Sequence, residues 1–269
     1  MVQPVIMTKY DLITLHGAHG VNLISKFCDV ARELEIDSLR DAYINLVGHA
    51  PRRSPNHKQY FVTEHFGFPS GNEKSNRREE HLALALFNQS TPCHLPDGRG
   101  LNIVDYQTPL KSKRSDEGVG KIDLLGVIDN TIPAVIELKI EGVNGCMADT
   151  PLRALLEGLA YCAIVEANIS DITDEARTKL NLHITPKRPD LIVMAPQDYW
   201  HSYLSKPTAG DWLPVLETMI TELKLKLDIN IHLTSLVNVD FEMGSSKKRP
   251  LLKNQCRLIP VGKPSLVRP

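Results

Sequence analysis

A chain of 269 residues that is 42% hydrophobic and 23% charged can bury a sizeable core and keep a wet surface, which excludes the disordered and fibrous classes. Its formal net charge of −1 excludes a general polyanion binder, so any nucleic-acid contact must come from local basic patches. No apolar run reaches the ~18–20 residues of a membrane span, and the opening MVQPVIMTKYDL lacks the basic, apolar and small-residue order of a secretory signal, so no membrane partner is expected.

The five cysteines, Cys28, Cys93, Cys146, Cys162 and Cys256, are scattered and form no CxxC pair. This argues against a zinc knuckle and suits free thiols in a reducing cytoplasm better than a disulfide framework. A cytoplasmic location is therefore expected.

Residues 1–75 are expected to form a helical region followed by a basic and aromatic loop. Over 21–34, Leu23, Ile24, Phe27, Val30 and Ala31 recur at helical spacing. Ser38 is placed to cap a second helix through Ala42, Tyr43 and Leu46, ending near Gly48. Between 51 and 78, Arg52, Arg53, Lys58, Lys74, Arg77 and Arg78 are interleaved with Tyr60, Phe61, Phe66 and Phe68. Such a mixture can track a nucleic-acid backbone and stack bases. A surface loop whose aromatics cover the core is an equally good reading.

Residues 76–269 are expected to form the main domain, with a helix and strand extension at its C-terminal end. A helix is predicted over 76–88, with Leu82, Ala83, Leu86 and Phe87 inward and Glu79 at the edge of that stripe. Taken alone, Glu79 and Glu80 need be no more than favourable charges near a helix N-terminus. A strand follows over 101–110, then a charged loop carrying Lys111, Lys113, Arg114 and, at its end, Lys121. Within 121–140 (KIDLLGVIDNTIPAVIELKI), two apolar runs are joined by Asp129-Asn130-Thr131, residues that favour turns. This reads as a β-hairpin. Asp149 or Thr150 can cap the next helix, with Pro151 in its first turn. Its inward stripe is Leu152, Leu156, Leu159 and Ala163, and Arg153, Glu157 and Tyr161 form an adjoining polar stripe. A buried strand over 191–194, an amphipathic helix over 212–227 and an alternating strand over 229–243 complete the domain. The basic stretch 246–257 reads as a solvated end rather than a DNA-facing arm. Tyr199, Trp200 and Trp212 belong to the core or an interface. His65, His81 and His94 lack metal-ligand spacing, and Gly118-Val119-Gly120 precedes a strand, so it is not a phosphate-cradling helix start.

The chemistry concentrates in the hairpin. Alternate strand residues share a face, so Glu137 and Lys139 point the same way. A hairpin centred on Asn130 sets Asp123 opposite Glu137, with Cβ atoms about 5 Å apart. Two carboxylates so close repel unless something cationic neutralises them. Lys139 supplies part of that charge and a divalent cation can supply the rest. Oxygen ligands of this kind suit Mg2+, with Mn2+ as a substitute. Bound metal activates a water and stabilises charge growing on phosphorus. Lys139 can then orient or deprotonate the water, or stabilise the transition state, and the sequence leaves these roles open. The competing reading of Asp123 and Lys139, a cross-strand ion pair on a solvated sheet face, does not account for Glu137 on that face.

The order of elements is helix with Glu79, strand, strand with Asp123, strand with Glu137 and Lys139, long helix, strand. With Asp123 followed by Glu137-Leu138-Lys139, the stretch 76–195 resembles the PD-(D/E)xK nuclease superfamily. The resemblance implies an α/β fold with a restriction-endonuclease-like αβββαβ core, its central mixed sheet flanked by helices, to which this chain adds N-terminal helices. It implies Asp123 and Glu137 as metal ligands, with a contribution from the Leu138 backbone, Lys139 as the residue assisting the attacking water, and Glu79 in support. Two features depart from the family's pattern: Ile122 stands where the motif has proline, and Arg153, Glu157 and Tyr161 occupy the helix face where several exonuclease-like branches carry glutamine and tyrosine. Lys111, Lys113, Arg114, Lys121, Arg153 and Tyr161 are the expected substrate contacts. The function expected is Mg2+-dependent hydrolysis of phosphodiester bonds in DNA, in restriction, repair or defence, with RNA as a third possibility to assay. The alternative is a catalytically inactive nucleic-acid-binding or assembly module of the same fold. The N-terminal helices and the chain beyond about 196 are left to set specificity or make a homodimer.

Overall fold

Two apolar runs form the middle of a mixed sheet, because strands covered on both faces carry few polar positions. They are β3 (Lys121–Ile128) and β4 (Ile132–Leu138). The turn between them holds Asp129 and Asn130 at positive φ, 47° and 60°, and closes with Thr131 N–H donating to the Ile128 carbonyl at 3.1 Å. Asp and Asn tolerate that backbone region better than most side chains do.

The computed structural model describes residues 9–62, 66–69, 78–142, 148–237, 239–245 and 247–262. The predicted helix start at Asn76, with His65, Lys74, Arg77 and Cys146, lies outside them. Helices α1 (Leu12–Leu15), α2 (Phe27–Glu33), α3 (Ile36–His49) and α4 (Arg78–Phe87) precede β1 (Cys93–His94) and β2 (Gly100–Pro109). After β3 and β4 come α5 (Pro151–Ala167), α6 (Ile169–Leu180), β5 (Asp190–Pro196), α7 (Gln197–Leu204) and α8 (Trp212–Leu227). The chain continues through β6 (Ile231–Leu236), β7 (Phe241–Glu242), β8 (Leu251–Leu252) and β9 (Leu258–Pro260).

Among the described residues, seven strands form one sheet in the order β1-β2-β3-β4-β5-β6-β9. Strands β1 to β4 run antiparallel in sequence, β4, β5 and β6 are parallel, and β9 returns antiparallel to β6. The fold is thus mixed α/β, with a central mixed sheet flanked by helices. On one face α4 packs Leu82, Leu84 and Leu86 against Leu124, Ile136, Leu138, Ile192 and Met194. On the other, α5 and α8 share one continuous core with α1, α2 and α3, through residues such as Leu12, Phe27, Tyr43, Leu155, Leu159, Trp212 and Leu216.

Several boundaries differ from the sequence expectation, each because a tertiary contact overrides a local pattern. The helix expected over 21–34 starts at Phe27. The Val21 carbonyl instead accepts from Thr150 Oγ1 at 2.6 Å, and the Asn22 side chain bonds Asp149 and the Thr150 N–H, which holds this stretch against α5. Ser38 lies inside α3, where it donates to the Glu35 carboxylate at the cap position. The alternating run over 229–243 is two strands in two sheets: β6 ends at Leu236, and β7 pairs with β8. Trp200 is core, its Nε1–H donating to the Ala195 and Thr234 carbonyls at 3.2 and 3.0 Å.

The cysteine expectation is corrected: Cys93 and Cys256 form a disulfide, with Cα atoms 5.1 Å apart at a sequence separation of 163. Spacing could not reveal this, because the sheet curls until its two edges meet. His94 of β1 bridges Arg257, just before β9, beside the disulfide. Cys28 and Cys162 are buried free thiols. Cys93→Ser is expected to cost about 2–4 kcal/mol of stability in non-reducing buffer. Excess reductant should bring wild type down to the variant, and urea unfolding in both buffers measures the difference. Among the described residues no helix is long and apolar enough to cross a membrane.

Candidate functional site

The parallel strands β4 and β5 end where β3 begins, and this end of the sheet collects the charged residues of the hairpin. The pairing Leu124↔Ile136 is the last in the β3–β4 ladder, so Asp123 and Glu137 stand next to each other across the strands. The Asp123 carboxylate accepts from the Leu138 N–H at 3.0 Å and from Gln107 Nε2 at 3.3 Å. Leu138 itself is fully buried in the apolar layer beneath, so only its main chain reaches the site. Past the strand end, the Lys139 N–H still donates to the Met194 carbonyl, which keeps Lys139 in register with Glu137.

Glu137 and Lys139 are both buried, 2% and 7% exposed. Lys139 Nζ donates to Glu137 Oε1 at 2.6 Å and lies 3.6 Å from Asp149 Oδ2 and 3.7 Å from Glu157 Oε2. The other Glu137 oxygen, Oε2, is buried without a hydrogen-bond partner.

The long helix supplies the second wall. Thr150 caps it, its Oγ1 accepting from the Arg153 N–H at 3.2 Å, with Pro151 in the first position. Gly158 allows close approach to the sheet: a Cβ there would overlap Leu191 and touch the Cβ of Glu137. The approach brings Glu157 to Lys139, and Tyr161 Oη donates to Glu157 Oε1 at 3.1 Å. Arg153 Nε lies 3.3 Å from Asp149 Oδ2.

Among the described residues, the carboxyl groups of Glu79, Asp123, Glu137, Asp149 and Glu157 outnumber the cations Lys139 and Arg153 that face them. The titration behaviour follows from this imbalance. Burial pushes Asp123 up to about 6, against the pull of Lys139 and the Leu138 N–H. Burial, then the Asp123 charge, pushes Glu79 up to about 7. Burial drives Glu137 well above the usual carboxylate range despite Lys139. Burial would lower Lys139, but Glu137, Asp123 and Glu157 together outweigh it and hold the ammonium well above its ordinary value.

The structure brings Glu79, Asp123, Glu137 and Lys139 together, with the Leu138 main chain beside them. The expected substrate contacts divide. Lys111, Lys113, Arg114 and Lys121 are exposed, and Lys121 opens β3 two residues from Asp123. Tyr161 is 5% exposed and hydrogen-bonded to Glu157, whereas Arg153 is part-exposed and lies beside Asp149. The basic loop is partly turned inward: Arg53 bonds the Gln59 and Lys111 carbonyls, and Lys58 the Ser112 carbonyl. Tyr60 and Phe61 are buried, Phe66 is exposed, and the Arg249 guanidinium lies 5.1 Å over the Phe68 ring. In the basic stretch 246–257, Lys248 pairs with Glu242 and Lys253 with Asp240.

Three residues here carried no usable sequence signal. Asp149 reads in the sequence only as a helix cap. Gln107 reads as an ordinary strand residue. His16 follows α1, over a hundred residues from the hairpin, yet it feels Glu157, Arg153, Lys139 and Asp149, and its Nδ1 is buried without a hydrogen-bond partner.

Among the described residues, no three His, Cys, Asp or Glu side chains stand as a ready-made metal-ligand group. A two-carboxylate site for Mg2+ does not require one, since that ion keeps several waters and takes one or two protein carboxylates. The unpartnered Glu137 Oε2 beside Asp123, in a cluster with surplus negative charge, fits such an ion. No family model, no curated protein and no solved structure matches this chain.

Proposed function

We propose that the chain is a Mg2+-dependent nuclease of the PD-(D/E)xK type, with a restriction-endonuclease-like core, that hydrolyses phosphodiester bonds of DNA in restriction, repair or defence. The observation that carries this reading is the convergence of Asp123, Glu137 and Lys139 at one strand end, with the buried Glu137 Oε2 lacking a partner. Asp123, Glu137 and the Leu138 main chain would hold the metal, and Mn2+ could replace Mg2+. The bound ion supplies Lewis-acid polarisation of the phosphoryl oxygen and a more acidic water. Lys139, kept protonated by the carboxylates around it, would be placed to donate to the attacking water and to a phosphate oxygen instead of abstracting a proton. From α4, Glu79 would support the site as a group able to hold or release a proton near neutral pH. Exposed Lys111, Lys113, Arg114 and Lys121 line up the substrate phosphates.

A second reading, a catalytically inactive nucleic-acid-binding or assembly module, is favoured by the 2.6 Å Lys139–Glu137 pair, which neutralises Glu137 without a metal. Incubation of plasmid, single-stranded DNA and RNA with Mg2+, Mn2+ or chelator separates the two. Metal-dependent cleavage by wild type that is lost in Asp123→Ala is the expected result. No cleavage with either metal, or equal cleavage by the variant, would overturn the nuclease reading.

A further inference from the structure

Six non-glycine residues among those described have positive φ: His57, Gln107, Asp129, Asn130, Asn181 and Asp228. Five fit the usual pattern. Asp129 and Asn130 form the hairpin turn, while His57, Asn181 and Asp228 each close the C-terminal end of a helix. All five are Asn, Asp or His, the types that visit this region most readily. Gln107 is neither such a type nor at such a place. It lies inside β2 with φ 49°, between Tyr106, paired with Leu124, and Thr108, paired with Ile122. An extended strand has no local need for a left-handed residue, and backbone strain of this kind persists only where the surroundings hold it.

The surroundings do hold it. Thr108 Oγ1 donates to Asp105 Oδ2 at 2.8 Å, a buried bond that spans the kink. The ladder also shifts register between Ile103 and Asp105, a few residues before it. The outcome is that Gln107 Nε2 points at Asp123 Oδ1, 3.3 Å away, while the Leu138 N–H holds Oδ2. The donor type matters. A lysine or arginine would neutralise Asp123 and compete with a metal. A neutral amide fixes the plane of the carboxylate and leaves its charge and its remaining lone pairs free.

We propose that Gln107 is a positioning residue for a divalent cation at Asp123, held in a strained backbone so that its amide sets the carboxylate's orientation. This rests on the metal-dependent reading of the site. Strain and positioning make opposite predictions for stability and binding, which is what makes the role testable. Gln107→Gly and Gln107→Asn both accept positive φ, and neither has an amide that reaches Asp123. Mn2+ binding is measured by electron paramagnetic resonance on the full chain, with Asp123→Ala defining binding elsewhere, and melting temperature is measured without metal. The expected result is a melting temperature no lower than wild type together with Mn2+ affinity about 10–100-fold weaker. Unchanged affinity in both variants, with wild type binding, overturns the role of Gln107 alone. Melting temperatures that fall with affinity assign Gln107 a structural role and overturn it too. Wild type that binds no more Mn2+ than Asp123→Ala overturns the metal site itself, and this role with it.

Discussion

Lys139→Met is expected to lower the unfolding free energy by about 3–5 kcal/mol at neutral pH and to abolish metal-dependent cleavage. The side chains of Lys139 and Glu137 are 9% and 3% exposed, so removing the ammonium leaves a buried carboxylate facing Asp123 and Glu157 with its counter-ion gone. Breaking a buried pair from one side costs far more than replacing both members. Glu137→Gln/Lys139→Met should therefore recover much of the loss while remaining inactive. The raised Lys139 pKa contributes stability that is fully present below its ordinary value of 10.5 and is lost only as pH rises through the higher folded value. The Lys139 contribution is thus present across the neutral range, and the cost of Lys139→Met is limited by how far Glu137, itself raised by burial, takes up a proton once the ammonium is gone. Urea unfolding of wild type, single and double variants at pH 7 measures it. A single-variant loss below about 1 kcal/mol, the level of an exposed pair, would show that Lys139 is not the buried counter-ion of this site.

The metal-free protein should lose stability between about pH 4 and pH 8, and Mg2+ should restore it only at the alkaline end. Asp123 and Glu79 have folded pKa values raised to about 6 and about 7, from 3.8 and 4.5. A raised carboxyl contributes most below its unfolded pKa, and that contribution disappears as pH rises through the folded one. Together the two groups make the fold weaker at pH 8 than at pH 4 by on the order of 2–5 kcal/mol, less than two independent carboxyls would, because part of what raises Glu79 is the Asp123 charge. Surface carboxylates with lowered pKa, such as Glu35 beside Lys9 and Glu242 beside Lys248, act oppositely, but below about pH 4.5. The comparison that isolates the site is therefore wild type against Asp123→Asn and Glu79→Gln, whose melting temperatures should fall less on going from pH 5 to pH 8. Metal binds the ionised carboxylates in competition with protons, so Mg2+ should raise the wild-type melting temperature at pH 8 and leave it unchanged at pH 5. Parallel pH profiles for wild type and both variants, or an equal Mg2+ shift at pH 5 and pH 8, would remove the electrostatic basis of the proposed site.

What sequence alone determined is local in its physics. Unbroken apolar runs and an Asp-Asn turn specify a hairpin, and the turn position sets Asp123 beside Glu137. Helical periodicity located α8 at Trp212–Leu227, and Pro151 marked the start of α5. Helix α6 is polar overall, with a buried face of little more than Ile172 and Ala176, and the aromatic-rich α7 follows β5 directly; both carry too little apolar content to stand out from the sequence around them. Only the tertiary structure decided what depends on distant segments meeting. Curling of the sheet joined Cys93 to Cys256, and docking of the N-terminal segment on α5 stopped α2 short and brought His16 to the site. A kink in β2 aimed Gln107 at Asp123. The spacing of Asp123, Glu137 and Lys139 is written in the chain. How far their protons are held or released comes from burial and from neighbours such as Asp149 and Glu157, which no local pattern records.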